Sequence, residues 1–122
     1  LGTAPIEDAI NEHPDVAESA IVGFPHDIKG SALYGFVILK ETGEGRDRAE
    51  MSKEINQTIS SVIGPIAKLD KIQFVSGLPK TRSGKIMRRI LRKIAEGDLS
   101  NLGDTSTLLN PEIVDEIKNG KI

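Results

Sequence analysis

The sequence predicts an α+β domain in which a small three-stranded sheet, mostly antiparallel or mixed, is flanked by helices. The chain has 122 residues, of which 38% are hydrophobic, and this suits one domain with a modest core. Apolar residues alternate between helical spacing and short continuous runs, in the order helix, strand, strand, helix, strand, helix and tail. No internal repeat or low-complexity segment interrupts that order.

The first third of the chain predicts one helix and two paired strands. Thr3 can cap a helix over about 4–13. A strand over 16–24 follows and is expected to stop at Pro25, which cannot donate a backbone hydrogen bond. A second strand over about 31–40 is too apolar for a half-exposed edge. We therefore expect the two strands to lie side by side.

The middle of the chain predicts a loop, a helix and a short strand. Residues 42–47 are polar and rich in glycine, which predicts a solvated loop. Apolar residues recur on one face of a helix over about 48–62, and Gly64-Pro65 stops it. Residues 71–75 predict a third strand, and the basic segment over 78–93 follows it.

Positive charge is concentrated between residues 78 and 93. Pro79 and Ser83-Gly84 predict a loop, and apolar residues at 86, 87, 90, 91, 94 and 95 predict an amphipathic helix over about 85–96. Lys85 is therefore expected where the loop becomes the helix. Seven of the sixteen Lys and Arg residues lie in this segment, although the formal net charge is only -2: Lys80, Arg82, Lys85, Arg88, Arg89, Arg92 and Lys93.

A lysine beside a glycine at a helix start suits negatively charged oxygens. The backbone can approach a ligand closely, the ammonium can reach a phosphate or carboxylate, and the first N–H groups of the helix add partial positive charge. A phosphate-binding P-loop is excluded, because it needs four residues between its glycines and Ser or Thr after the lysine. Six residues separate Gly77 from Gly84 here, and Ile86 follows Lys85.

Residues 98–122 are predicted to form a tail, irregular over 101–107, with a short last helix over 111–118 that begins at a proline. Gly97 is placed to end the basic helix before this tail.

Composition narrows the function classes. The chain has no cysteine, which excludes disulfides, thiolate metal sites and thiol catalysis within it. Its two histidines, His13 and His26, lie far apart without ligand patterning, so no metal site is predicted, and His26 is interpreted as a surface-loop residue. Aromatic residues are scarce, which weakens a nucleic-acid interpretation.

No apolar run approaches the roughly 20 residues that span a bilayer, and no leader is visible. Because Leu1 is not an initiator Met, we expect the chain to be a fragment. By itself the basic helix is interpreted as a solvated amphipathic face, with a membrane-surface, calmodulin-type or nucleic-acid contact as the alternative.

Several motifs resemble one enzyme superfamily. Residues 78–89, LPKTRSGKIMRR, resemble the C-terminal lysine motif of the adenylate-forming superfamily, which includes acyl-CoA synthetases, peptide-synthetase adenylation domains and luciferases. The run to Ala95, together with segments 1–4, 21–30 and 101–107, is similar to AMP-forming acetyl-CoA synthetases in particular.

The resemblance implies that the chain is the mobile C-terminal lid domain of an enzyme whose large N-terminal domain holds most of the substrate pockets. Such enzymes join acetate to ATP and then transfer the acetyl group to coenzyme A. The implied ligands of the full enzyme are ATP, Mg²⁺ and coenzyme A, with none expected on this domain alone. Lys85 would be the adenylation lysine, and Gly84 and Arg82 would lie near a phosphate of ATP or coenzyme A.

The resemblance also implies regulation and a location. Lys85 would be acetylated by a protein acetyltransferase and deacetylated by a sirtuin-type enzyme, and loss of its charge would switch adenylation off. Arg88, Arg89 and Arg92 are expected to contact the acetyltransferase. A cytoplasmic location is implied, with mitochondria or the nucleus as alternatives in a eukaryote, and neither nucleic acid nor a membrane is expected as a partner.

This sequence departs from its relatives at two places. Pro5 stands where relatives often have Glu, and Ser60 and Ser61 lie where some carry a basic residue for the phosphates of coenzyme A. The resemblance therefore does not imply a coenzyme A contact from that segment. The alternative hypothesis is that the isolated domain serves as a substrate or docking module for a lysine acetyltransferase.

Overall fold

The computed structural model describes residues 3–26, 30–100 and 102–122, and three strands of this part form one mixed sheet. Strand β1 (Val16–His26) pairs antiparallel with β2 (Gly30–Leu39), and β2 pairs in parallel with β3 (Lys71–Phe74). The predicted pairing of the first two strands is confirmed. The central strand is covered on both faces, which explains its continuous apolar sequence.

Helices cover both faces of the sheet. Helices α1 (Ala4–Asn11) and α3 (Arg48–Val62) pack on one face, and α4 (Arg88–Glu96) and α5 (Glu112–Asn119) pack on the other. The alternation of side chains along β1 separates the two cores, with Ile21 in one and Ala20, Val22 and Phe24 in the other. The predicted α+β architecture is confirmed, and none of the described helices is both long and apolar enough to cross a membrane.

Local signals predicted α3 and the end of α4 well. Helix α3 has the predicted bounds, and the Asp47 side chain caps it by accepting a hydrogen bond from the Ala49 N–H at 3.0 Å. Gly97 ends α4 in the left-handed conformation, with φ of 87°. Helix α5 lies within one residue of its predicted bounds, and helix α1 ends two residues earlier than predicted.

Two predictions for the first half were wrong. Strand β1 continues through Pro25 to His26, because β1 is an edge strand, where a residue without an N–H is tolerated. The loop predicted over 42–47 instead begins within the short helix α2 (Glu41–Glu44). This turn is held against the α1–β1 connection, since the Lys40 N–H donates to the Asp15 carbonyl at 2.8 Å. The sequence also predicts a polar turn over 26–30, of which His26 and Gly30 belong to β1 and β2. Residues 27–29 of that turn and residue 101 of the tail lie outside the described residues.

Candidate functional site

Residues 79–87 form a narrow hairpin between β3 and α4. Lys80 and Ile86 are joined by an isolated antiparallel bridge. The Thr81 N–H donates to the Lys85 carbonyl at 2.8 Å, which closes the hairpin next to its tip. Lys85 is therefore held by backbone hydrogen bonds across two short extended segments.

The predicted position of Lys85 at a helix start was wrong. Helix α4 begins at Arg88, three residues after Lys85, instead of at the predicted residue 85. The Met87 N–H donates to the Pro79 carbonyl at 2.8 Å, so this part of the chain is committed to the hairpin and not to a helical turn. The partial positive charge expected from helical N–H groups is consequently not available at Lys85.

The tip of the hairpin is a closed turn that depends on glycine. Gly84 has φ of 90°, a conformation that other residues rarely adopt, and its N–H donates to the Thr81 carbonyl at 2.8 Å. The Lys85 N–H donates to Thr81 Oγ1 at 3.1 Å, and Thr81 Oγ1 and Ser83 Oγ lie 2.9 Å apart. Both backbone N–H groups beside the lysine are already satisfied, so the tip offers a ligand its side chains.

Two cations project from this tip. Residues 82–85 are exposed. Within the described part of the chain, neither the Lys85 ammonium nor the Arg82 guanidinium has a hydrogen bond or an ion pair. An exposed ammonium without an intramolecular partner is suited to bind an anion supplied from outside the domain.

The base of the hairpin is tied to the first strand and the first helix. Lys80 Nζ donates to Glu18 Oε1 at 3.0 Å. Arg88 Nη2 forms an ion pair with Glu7 Oε1, and the other carboxylate oxygen of Glu7 accepts the Ile21 N–H at 2.8 Å. Glu7 is 7% exposed whereas the Arg88 side chain is 37% exposed, so the pair anchors α4 to a buried carboxylate while the guanidinium stays partly in solvent.

The three arginines predicted to contact an acetyltransferase differ in whether they have partners within the domain. Arg88 is engaged with Glu7, and Arg89 Nη1 lies 3.4 Å from the Leu102 carbonyl, to which it donates. Arg92 is exposed and has no polar partner among the described residues. Arg89 and Arg92 are the two exposed cations of this helix face.

Sequence reasoning missed the role of the tail at this site. The Leu109 N–H donates to the Lys80 carbonyl at 2.9 Å, and the side chain of Asn110 bonds to the backbone of Leu78 and Lys80. No spacing rule links residue 110 to residue 80, so only the folded chain could reveal this contact.

A second charged cluster lies where α1, β1 and α3 meet. The Asp15 N–H donates to His13 Nδ1 at 3.1 Å, so the proton of the neutral ring is on Nε2, which donates to Glu54 Oε1 at 2.9 Å. Arg46 pairs with Asp15 at 3.0 Å and also with Glu54 and Glu50. Each titratable side chain here therefore has a hydrogen-bond or ion-pair partner within the group. We call this group the Arg46 cluster: His13, Asp15, Arg46, Glu50 and Glu54.

These contacts shift the acidity of the cluster. A hydrogen bond from Thr42, followed by one from Arg46, lowers the pKa of Asp15. The Arg46 hydrogen bond, with a smaller contribution from His13, lowers the pKa of Glu54. In turn, hydrogen bonds to Glu54, the largest cause, and to Asp15 and Glu50 raise the pKa of Arg46. Asp15, Glu54 and Arg46 are thus ionised at neutral pH, and the cluster stabilises the junction of these elements.

Ser60 and Ser61 line an open groove of about 700 Å³ between α3 and the segment after it. Lys53 and Lys68 border the same groove, and Ser60 Oγ is buried without a hydrogen-bond partner in the described part of the chain. No group of three or more His, Asp or Glu side chains among the described residues could hold a metal ion.

Comparison with known proteins gives concordant matches. The family model described as AMP-binding enzyme C-terminal domain matches residues 5–85. Acetyl-coenzyme A synthetase of Methylorubrum extorquens strain PA1 is 55% identical over 96% of this chain, and that of Brucella canis is 56% identical over the same share. The chain spans about 18% of the length of these curated relatives.

Solved structures share the fold. An acyl-CoA synthetase from Brucella canis matches with a TM-score of 0.71 and 38% identity, covering 76% of this chain and 17% of that one. Acetoacetyl-CoA synthetase from Streptomyces lividans matches with a TM-score of 0.78, covering 98% of this chain and 18% of the other. At 23% identity, the second match shows the fold alone.

Proposed function

The chain belongs to the AMP-binding enzyme C-terminal domain family, and from that membership we propose that it is the C-terminal domain of an AMP-forming acetate–CoA ligase. The ligase joins acetate to ATP, releasing pyrophosphate, and then transfers the acetyl group from the acetyl-adenylate to the thiol of coenzyme A, releasing AMP. Identity of 55–56% to acetyl-coenzyme A synthetases along nearly the whole chain supports this assignment. The proposal includes a cytoplasmic location.

In this proposal Lys85 is the catalytic residue of adenylation. When an acetate oxygen attacks the α-phosphate, negative charge develops on both partners and on the leaving pyrophosphate. A positioned ammonium stabilises such charge, and one group of this kind contributes roughly 10²–10³ in rate. The observation that carries the proposal is the exposed Lys85 ammonium, which has no partner within the described residues and is mounted on a hydrogen-bonded hairpin.

The remaining groups of the tip would assist Lys85. Arg82 adds a second exposed cation on the same turn and would attract a phosphate of ATP or coenzyme A. Gly84 supplies the positive φ that the turn needs. The space beside its Cα is open, since a Cβ at this position would meet no atom within 4 Å. Mg²⁺, ATP and coenzyme A would bind mainly to parts of the ligase outside this chain.

The test is Lys85→Ala in the full-length ligase, with the two half-reactions measured separately by rapid mixing. We expect formation of acetyl-adenylate to fall by about 10²–10³. Thioester formation from supplied acetyl-adenylate should be preserved. Lys40→Ala removes another exposed lysine as the matched control and should change neither half-reaction. An equal loss of both half-reactions in Lys85→Ala would falsify the adenylation role.

We also propose that Lys85 is a reversible acetylation site. Its exposed amine on a projecting tip is accessible to an acetyltransferase, and acetylation would remove the charge that adenylation needs. Charge reversal at Arg89 and Arg92 should slow modification of Lys85 if this helix face guides the enzyme. Arg88 is a poor probe, since its reversal would also break the pair with Glu7. Modification at an unchanged rate would argue against the guiding role.

The alternative is that the isolated domain acts only as a substrate or docking module for the acetyltransferase. Incubation with acetyltransferase and acetyl-CoA, and separately with ATP and acetate, distinguishes the two. The first mixture should acetylate Lys85, and a sirtuin-type deacetylase should reverse it. The second should yield no acetyl-adenylate from the domain alone, whereas the full-length ligase should produce it.

A further inference from the structure

We infer that Asn110, in the tail, is a positioning residue that holds the base of the hairpin and thereby sets where Lys85 is presented. This inference rests on the adenylation role proposed for Lys85. It concerns a residue that lies 30 positions after Lys80, to whose backbone it bonds.

The Asn110 side chain satisfies two backbone groups of the segment that enters the hairpin. Asn110 Oδ1 accepts the Lys80 N–H at 3.2 Å, and Asn110 Nδ2 donates to the Leu78 carbonyl at 2.8 Å. The neighbouring Leu109 N–H donates to the Lys80 carbonyl at 2.9 Å. Three main-chain groups of residues 78–80 therefore bond to two consecutive tail residues.

An amide is the side chain that this position requires. It must donate at one end and accept at the other, and an ionised carboxylate can only accept. Strand β3 ends at Phe74, so the Leu78 carbonyl and the N–H and carbonyl of Lys80 lie beyond the three-stranded sheet, and the tail supplies their hydrogen bonds. Leu78 is 1% exposed, so if the Asn110 amide were removed, water could not readily replace it as the donor to the Leu78 carbonyl.

A second contact from the tail holds the start of the same segment. Glu116 of α5 accepts the Ser76 N–H at 3.1 Å and the Ser76 hydroxyl at 2.7 Å. Residues 109–116 thus run along residues 76–80. The backbone of the segment that leads to the hairpin is therefore hydrogen-bonded to the tail, while the Lys80 side chain ties the same base to Glu18 of β1.

The hairpin closes on itself, so its orientation depends on its base. The Met87 and Thr81 hydrogen bonds join its two sides and would keep it together as a unit. A misplacement of about 1 Å at a catalytic group can cost about 10²-fold in rate. Loosening the base should therefore lower adenylation without altering steps that do not use Lys85.

The experiment compares Asn110→Ala and Asn110→Asp in the full-length ligase. We expect Asn110→Ala to slow acetyl-adenylate formation by about tenfold to 10²-fold. Asn110→Asp keeps the acceptor for the Lys80 N–H but places a carboxylate oxygen against the Leu78 carbonyl, so it should slow adenylation as well. Thioester formation from supplied acetyl-adenylate should remain at the wild-type rate in both. Asn119→Ala, at the exposed end of α5, is the matched control and should change neither half-reaction.

Equal loss in both half-reactions would mean a general structural role and would overturn the inference, as would unchanged adenylation. Amide hydrogen exchange in the same proteins gives a readout independent of activity. In Asn110→Ala the Lys80 amide should exchange faster, while the Thr81 and Met87 amides stay protected. A Lys80 amide that remains protected would also overturn it.

The outcome separates this inference from the function on which it rests. If Lys85→Ala slows adenylation and Asn110→Ala does not, only the positioning role fails. If Lys85→Ala has no effect on adenylation, the proposed function fails, and the exchange data still report whether Asn110 holds the hairpin.

Discussion

Charged side chains are concentrated in two regions of this domain, and the regions differ in how their charges are satisfied. In the Arg46 cluster, hydrogen bonds and ion pairs join a histidine, three carboxylates and one guanidinium into a closed set. At the hairpin tip, Arg82 and Lys85 are exposed and have no partner within the described residues. The comparison indicates that the first region holds elements together and that the second is available to a ligand.

The largest expected effect is an opposite response of adenylation rate and melting temperature when one cation is removed from each region. Lys85→Ala should reduce adenylation by about 10²–10³ and leave the melting temperature of the full-length ligase unchanged. Arg46→Ala should lower the melting temperature, because it leaves Asp15 and Glu54 without their cation, and should preserve the adenylation rate. Thermal melts and single-turnover adenylation on both variants measure this. A lower melting temperature in Lys85→Ala alone would contradict the distinction.

The second prediction concerns the turn that carries Lys85. Gly84→Ala places a side chain at φ of 90°, which costs on the order of 1–3 kcal/mol or forces the turn to change. We expect adenylation to fall by about tenfold, because the turn sets the direction of the lysine. Gly45→Ala is the control, since Gly45 has φ of -84° and open space around it. Equal adenylation rates in Gly84→Ala and Gly45→Ala would show that the conformation of Gly84 does not contribute to the placement of Lys85.

A smaller effect separates two lysines of the hairpin. Lys85 has an exposed ammonium, whereas Lys80 Nζ bonds to Glu18 and its side chain is 27% exposed. A small chemical acetylating reagent should therefore modify Lys85 several times faster than Lys80, because an ion-paired ammonium must first lose its partner and its proton. Mass spectrometry of the partly acetylated full-length protein gives both rates, and faster modification of Lys80 would contradict the interpretation.

The smallest effect is a change in acid stability. The folded-state pKa values of Asp15 and Glu54 are lowered, so their contribution is complete above the unfolded carboxyl pKa near 4 and is lost as pH falls through the folded values. Arg46→Gln should weaken this loss, because it removes a cause common to both shifts. Urea unfolding from pH 6 to pH 3 measures the slope. A variant with the wild-type slope would show that Arg46 contributes little.

Sequence reasoning predicted the elements that depend on local signals. The 3.6-residue spacing and the stop at Gly64-Pro65 are both local, which is why the bounds of α3 were correct. It also identified Lys85 within a basic, glycine-containing turn. It placed the lysine on a helix, because residues 86 and 87 fit the apolar spacing of α4, although their backbone belongs to the hairpin.

The sequence by itself determined the order of the three strands and the four longer helices, the pairing of β1 with β2 and the concentration of cations around Lys85, because periodicity and charge can be read from neighbouring residues. Only the tertiary structure decided which cations are paired. Glu7 and Arg88 are 81 residues apart, and Glu18 and Lys80 are 62 apart. Such partners meet only in the folded domain. Arg82 and Lys85, which have no partner among the residues that the structure describes, form the candidate site.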